Sequence, residues 1–160
     1  MNVGQSRLRV LVVENEVLLQ LEMEDMLSEL GHEIVGWASR ARTAIAETER
    51  TRPDVVLMDI QLDGPRDGIE AAHEIRERFG ITSLFMTGSN DSDTYRRALA
   101  TRPLGYLRKP FMLSDLRSAL KPLLGMSHER AVSPTHTAPM ANAQFAFFDM
   151  ARKTSPSSFD

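Results

Sequence analysis

The chain of 160 residues contains no cysteine. Disulfides and thiolate metal sites are therefore excluded, and a reducing compartment suits it. No apolar run approaches the ~20 residues that cross a bilayer, and no basic-then-apolar segment opens the chain. The expectation is a soluble, unexported, cytoplasmic protein with no membrane partner. Positive charge is also not in excess: the formal net charge is -3. Phosphate-backbone binding depends on clustered Lys and Arg that displace counterions, so no direct nucleic-acid partner is expected. His32, His73, His128 and His136 fall at no metal-ligand spacing and read as surface residues. Apolar residues make up 42% of the chain, enough for one substantial core with some length left over.

The organising stretch is Pro53 to Leu62. Within it the apolar run Val55 to Met58 reads as a strand buried on both faces, and Asp59 stands where that strand must end. Three other apolar runs also end on polar groups. Leu8 to Val13 leads to Glu14 and Asn15, Leu84 to Met86 leads to Thr87, and Leu104 to Leu107 leads to Lys109.

Between the strands the period changes to that of a helix. Leu19, Met23, Met26, Leu27 and Leu30 share one face, and Gly31 closes that helix. The Met-rich spacing marks core. A strand over 33–37 precedes a helix carrying Ala41, Ala44, Ile45 and Thr48, which ends in a solvated charged run before Pro53. After Asp59 a turn at Gly64 and Pro65 leads to Asp67-Gly68-Ile69-Glu70, the pattern of a capping box, and to a helix with Ala71, Ala72, Ile75 and Phe79. Residues 83–86 give a fourth strand, 91–101 a helix with Tyr95, Ala98 and Leu99, and 104–108 a fifth strand. Leu113, Leu116, Leu120, Leu123 and Leu124 line the last helix, which Pro122 is expected to end or kink near Lys121.

Five strand-helix units in series imply an α/β fold, a doubly wound parallel sheet with right-handed crossovers. Ligands of such sheets bind beyond the carboxyl ends of the strands, which brings Glu14, Asn15, Asp59, Thr87 and Lys109 together. The domain is expected over residues 7–125. Residues 126–160 are rich in Ser, Thr, Pro, Ala and Asn and are expected to be a disordered tail, with a docking peptide built on Phe145, Phe147 and Phe148 as the other reading. Residues 1–6 are expected to fray. That tail is too short for a conventional DNA-binding output domain.

Taken singly, each polar position has an ordinary structural role. Asp59 could cap a turn, Glu14 and Asn15 could be turn polars, Thr87 could bond its own backbone, Lys109 could lie on the surface, and Tyr106 could be packing. Together, Glu14-Asn15, Asp59, Thr87-Gly88 and Gly105-Tyr106-Leu107-Arg108-Lys109-Pro110-Phe111 resemble the receiver domain of bacterial two-component response regulators, over about Leu8 to Leu124. The resemblance implies a flavodoxin-like five-stranded sheet in the order 2-1-3-4-5. It implies that Asp59 accepts a phosphoryl group from a histidine kinase or histidine phosphotransfer protein, in a two-component or phosphorelay system. Mg2+ would be held by Asp59, Asn15 and the backbone carbonyl of Gln61, with Glu14 acting largely through water. Lys109 and Thr87 would contact phosphoryl oxygens, and the Lys109-Pro110 bond would be cis. Thr87 and Tyr106 would form the switch, with Tyr106 swinging inward and the face of helix four, strand five and helix five docking a downstream protein. The chain would be a signalling module rather than an independent enzyme.

Two departures from the family pattern bear on function. Most receivers carry a second acid where this chain has Asn15, whose amide oxygen can ligate a cation but brings no charge. At an effective dielectric of about 20, a unit charge near 4 Å is worth about 4 kcal/mol before desolvation, so Mg2+ affinity is expected to fall unless Glu16 or Asp63 compensates. The loop Leu62 to Arg66 is also about one residue longer than the commonest version. Phe85 to Gly88 partly resembles the signature of a subgroup of single-domain receivers. The alternative reading is a phosphorylation-independent pseudo-receiver. A haloacid-dehalogenase-like phosphohydrolase needs a second acid two residues after the nucleophile, and Gln61 stands there. A flavodoxin would place the acids Glu14 and Glu16 against a phosphate.

Overall fold

The computed structural model describes residues 6–126. The expected tail, with Phe145 to Phe148, and His128 and His136 lie outside the described residues, as do residues 1–5. The elements alternate without exception: β1 (Arg9–Val13), α1 (Val17–Glu29), β2 (Glu33–Ala38), α2 (Ala41–Thr51), β3 (Val55–Asp59), α3 (Gly68–Phe79), β4 (Thr82–Thr87), α4 (Ser92–Ala100), β5 (Gly105–Arg108) and α5 (Leu113–Met126). All pairings are parallel and the sheet order is β2-β1-β3-β4-β5, as expected.

Side chains of successive strand residues point to opposite faces, and each strand therefore serves two cores. Leu11, Val13, Val56, Met58 and Phe85 face α2 and α3, where Ala44, Ala71, Ala72 and Ile75 meet them. Val10, Val12, Val55, Leu57, Leu84 and Met86 face α1 and α5, where Met23, Leu27, Leu116 and Leu120 cover them. Every residue of β3 is buried, which is why its sequence is an unbroken apolar run. Each such Leu, Val or Met contributes about 1.5–3 kcal/mol by leaving water.

The register sets the site. Val13 lies opposite Ala38 and Met58, Asp59 opposite Met86, and Thr87 opposite Arg108. Glu14, Asp59, Thr87 and Lys109 thus reach the carboxyl edge at one level, and the order of strands reverses between β1 and β3 just there.

Of the two outcomes expected at Pro122, an end to the helix is not found: α5 continues through Pro122 to Met126. A proline in a helix interior costs about 3 kcal/mol, and here Leu116 and Leu120 before it and Leu123 and Leu124 after it pack on one core and hold the helix together. On α4, Leu99 is exposed and Ala98 alone is fully buried. The outer side of α1 also carries exposed Val17, Leu18 and Leu21, while Met23 and Leu27 supply its buried residues.

Helix α3 begins against β3. Asp67 and Glu70 form the expected capping box, and the Gly68 N–H donates to the Ile60 carbonyl at 2.8 Å. A Cβ on Gly68 would overlap the carbonyl oxygen of Asp59. That oxygen belongs to a strand paired on both sides and cannot yield cheaply. Gly68→Ala is expected to lower unfolding free energy by about 1–3 kcal/mol in urea denaturation; an unchanged midpoint would show that the loop absorbs the methyl group.

Candidate functional site

Four of the residues singled out in the sequence converge at the carboxyl edge. Lys109 Nζ lies 2.7 Å from Glu14 Oε2 and 3.1 Å from Asp59 Oδ2. The two carboxylates are therefore no further apart than their bonds to that one nitrogen allow. Glu14 is fully buried, and Asp59 is 4% and Thr87 1% exposed. Backbone bonds fix each group. The Glu14 N–H donates to the Ala38 carbonyl at 2.9 Å, the Gln61 N–H to Asp59 Oδ1 at 3.0 Å, and the Glu16 N–H to Glu14 Oε1 at 3.1 Å. The Lys109 N–H donates to the Thr87 carbonyl at 2.7 Å, and the Lys109-Pro110 peptide is cis.

The electrostatics follow from this crowding. The pKa of Asp59 is raised to about 6: burial is the largest cause, the Glu14 carboxylate adds to it, and Lys109 and the Gln61 N–H act in the opposite sense. For Lys109, burial alone would depress the ammonium, but the two acids outweigh it and the pKa is raised. The site thus holds more negative charge than its lysine offsets.

Thr87, on the strand next to that of Asp59, links this edge to Tyr106. Its Oγ1 accepts the Ser89 N–H at 3.1 Å, and its side chain is hydrogen-bonded to Tyr106. Tyr106 is buried, with its ring 6.5 Å from Phe85 and in edge contact with Tyr95 of α4 at 5.6 Å. Its pKa is raised, chiefly by burial. Tyr106 already occupies the inward position in this structure. A cleft of about 360 Å³ opens beside Thr87, walled by Leu62, Pro65 and Asp67 on one side and Ser89, Thr94 and Arg97 on the other.

Asn15 does not join the Lys109 cluster. Its Nδ2 donates to Asp63 Oδ1 at 3.1 Å. Gln61 is exposed and contributes its backbone. Sequence reasoning missed the Asp67–Arg97 ion pair, 2.7 Å long, which joins the start of α3 to α4. It also missed Tyr95 as the neighbour of Tyr106. Both pairs join side chains far apart in sequence, and no local pattern announces either.

Hard oxygen donors suit a small divalent cation. The carboxylates of Glu14 and Asp59 converge, an amide stands at Asn15, and the uncompensated charge around Asp59 favours a cation. Among the described residues no three His, Asp or Glu side chains are gathered around one point. Backbone and amide oxygens would complete the set, and on that chemistry the residues fit Mg2+.

Over residues 10–121 the sequence matches the response regulator receiver domain. The chain belongs to that family. It is 37% identical over 125 residues to the transcriptional regulatory protein PdtaR of Mycobacterium tuberculosis, with 78% of this chain and 60% of that protein covered. The chain therefore spans about 60% of the length of that relative. Among solved structures, it is similar to the signal receiver domain of a modulated diguanylate cyclase from Desulfovibrio desulfuricans: TM-score 0.72, 29% identity, 78% of this chain and 98% of that one covered. It is also similar to the receiver domain of a sensor histidine kinase from Pseudomonas aeruginosa, solved with a magnesium ion coordinated in its active-site cleft: TM-score 0.67, 28% identity, 75% and 99% covered. Among the described residues no helix is long and apolar enough to cross a membrane.

The raised pKa of Asp59 gives a signed pH dependence. The native carboxyl keeps its proton to about pH 6, whereas the unfolded chain releases it near its ordinary value of 3.8. Between these values the native state binds more protons, and stability falls as pH rises through that window. Asp59→Asn is expected to be the more stable protein at pH 7–8, by on the order of 2–3 kcal/mol. The advantage should vanish as pH falls from about 6 toward 4. Urea denaturation in EDTA across this range checks it, and equal stabilities at pH 8 would refute it.

Proposed function

We propose that this receiver domain, spanning residues 7–125, is a phosphoacceptor whose nucleophile is Asp59 and whose partner is a histidine kinase or histidine phosphotransfer protein of the cytoplasm. The observation that carries the reading is the shared Lys109 ammonium, which holds Asp59 beside Glu14 at the edge where the strand order reverses.

In the reaction one Asp59 oxygen attacks the phosphorus of a phosphohistidine, the P–N bond breaks, and the leaving imidazole keeps the bond's electron pair and takes up a proton. The transition state is loose, with charge spread over three equatorial oxygens, so the work of this chain is positioning and charge compensation. Lys109 gives up part of its contact with the carboxylates and meets a phosphoryl oxygen as a point charge. The Thr87 hydroxyl donates to another. The Gln61 N–H keeps the non-attacking oxygen of Asp59 fixed. Mg2+, held by Asp59, Asn15 and the Gln61 backbone carbonyl with Glu14 acting through water, would offset the charge on the transferring oxygens.

Output would pass through Thr87. A hydroxyl drawn toward the phosphoryl group leaves its contact with Tyr106, and Tyr106 packs on Tyr95 of α4. A local charge event thereby biases the face made by α4, β5 and α5, which would dock a downstream protein. Receiver domains are signalling modules, and the chain is not read as an independent enzyme.

Intact-mass analysis after incubation with a small acyl phosphate and Mg2+ tests the reading. Wild type is expected to gain one phosphoryl group, Asp59→Asn none, and EDTA to suppress labelling. Labelling of Asn15→Asp but not of wild type would instead mark a phosphorylation-independent interaction module.

A further inference from the structure

The β3–α3 loop is tied down along its length. Arg97 holds Asp67 from α4, Arg66 is bound to Glu74 at 2.8 Å, and the Asp63 N–H donates to the Ser39 carbonyl at 3.3 Å. Of the charged side chains in this loop, Asp63 alone has no oppositely charged partner among the described residues. What it does have is the Asn15 amide, 48 residues away in sequence, donating at 3.1 Å.

Asn15 stands at the position where the family pattern places a charged ligand. We propose that Asp63 supplies, through the Asn15 amide, the negative charge that position 15 lacks, so that Asn15 and Asp63 together act as one Mg2+-holding unit. The inference rests on the reading of Asp59 as an Mg2+-dependent acceptor.

Three physical effects support it. A carboxylate that accepts from Nδ2 fixes the flip of the amide, with the nitrogen toward Asp63 and Oδ1 at the other end of the planar group. The charge-assisted bond also polarises the amide, moving electron density onto Oδ1 and making it a stronger ligand for a hard cation. And the unpaired charge of Asp63 attracts the cation directly, more weakly than a ligand in contact but with the favourable sign. Carboxylates that orient histidine ligands in other metal sites act in the same way. Glu16 is less suited: among the described residues its side chain makes no hydrogen bond to Asn15, whereas Asp63 does. Asp63 is thus a positioning residue, acting on the cation through Asn15.

The test is titration of the full chain with MgCl2 alone, read by isothermal calorimetry and by the rise in melting temperature. Melting in EDTA checks the fold of each variant. Asp63→Asn keeps an acceptor for Nδ2 but removes the charge, and it is expected to raise the Mg2+ Kd by about 10-fold or more. Adding Asn15→Asp to Asp63→Asn should restore wild-type affinity or better. An unchanged Kd in Asp63→Asn overturns the proposal and leaves Asp63 as a loop tether. Loss of affinity that Asn15→Asp does not restore also overturns it, because the loss then comes from a misplaced loop. If wild type shows no saturable binding at millimolar Mg2+, the metal reading itself fails, and that failure is seen before any variant is compared.

Discussion

One ammonium group, Lys109 Nζ, keeps two buried carboxylates within reach of each other at the edge of the sheet. Removing three charges from water costs several kcal/mol each before their attraction is counted, and a single cation between two acids leaves a net negative site. The surrounding structure compensates by supplying fixed N–H donors, from Gln61 to Asp59 and from Glu16 to Glu14. The compensation is incomplete, which is why burial and Glu14 together prevail over Lys109 at Asp59. An apolar substitution would give a more stable edge. The fold sustains the unfavourable arrangement through two well-filled cores, whose strands end in register at the same level.

The same edge is mechanically connected to the surface in few steps. Thr87 lies beside the acceptor, Tyr106 is bonded to Thr87, and Tyr95 of α4 packs edge-on against Tyr106. Helix α4 has a single fully buried residue, Ala98, and relies besides on Tyr95 and on the ion pair between Arg97 and Asp67. A helix attached by so little core can change position at small cost, whereas α2, with five buried residues, cannot. The two attachments of α4 lead back toward Asp59, one through Thr87 and one through the β3–α3 loop. A change of charge at Asp59 would therefore act on both, and a two-state response of α4 needs no longer path.

Much of this was legible in the sequence because the signals were local. The apolar runs Val10 to Val13 and Val55 to Met58 could only be strands covered on both faces, and the polar residues after them marked the edge. The capping box at Asp67 and Glu70 was spelled out in four consecutive residues. Legibility ended where the outcome depends on competition or distance. Pro122 carries a strong local signal to stop a helix, yet the packing of Leu123 and Leu124 outweighs it, and that packing is invisible in a one-dimensional pattern. Leu99 fits a helical apolar stripe but falls on a short helix that buries only Ala98. The bond from Asn15 to Asp63 spans 48 residues between two loops, and loops carry no periodicity from which a partner could be read.

The charge balance of the site bears on how the chain would work. An aspartyl phosphate replaces one negative charge with about two, in a cluster already negative with Lys109 fully engaged. Lys109 cannot meet the new phosphoryl oxygens at full strength and also neutralise Glu14. A second cation would offset the added charge, and Glu14 itself is fully buried beside Lys109. Asn15 and Asp63 meet between the neighbouring loops. An amide rather than an acid at position 15 would lower the repulsion around Asp59, while Asp63 would keep part of the attraction for a cation. Phosphorylation in this chain would then be controlled less by the reactivity of Asp59 than by how firmly the β3–α3 loop holds Asp63 against Asn15.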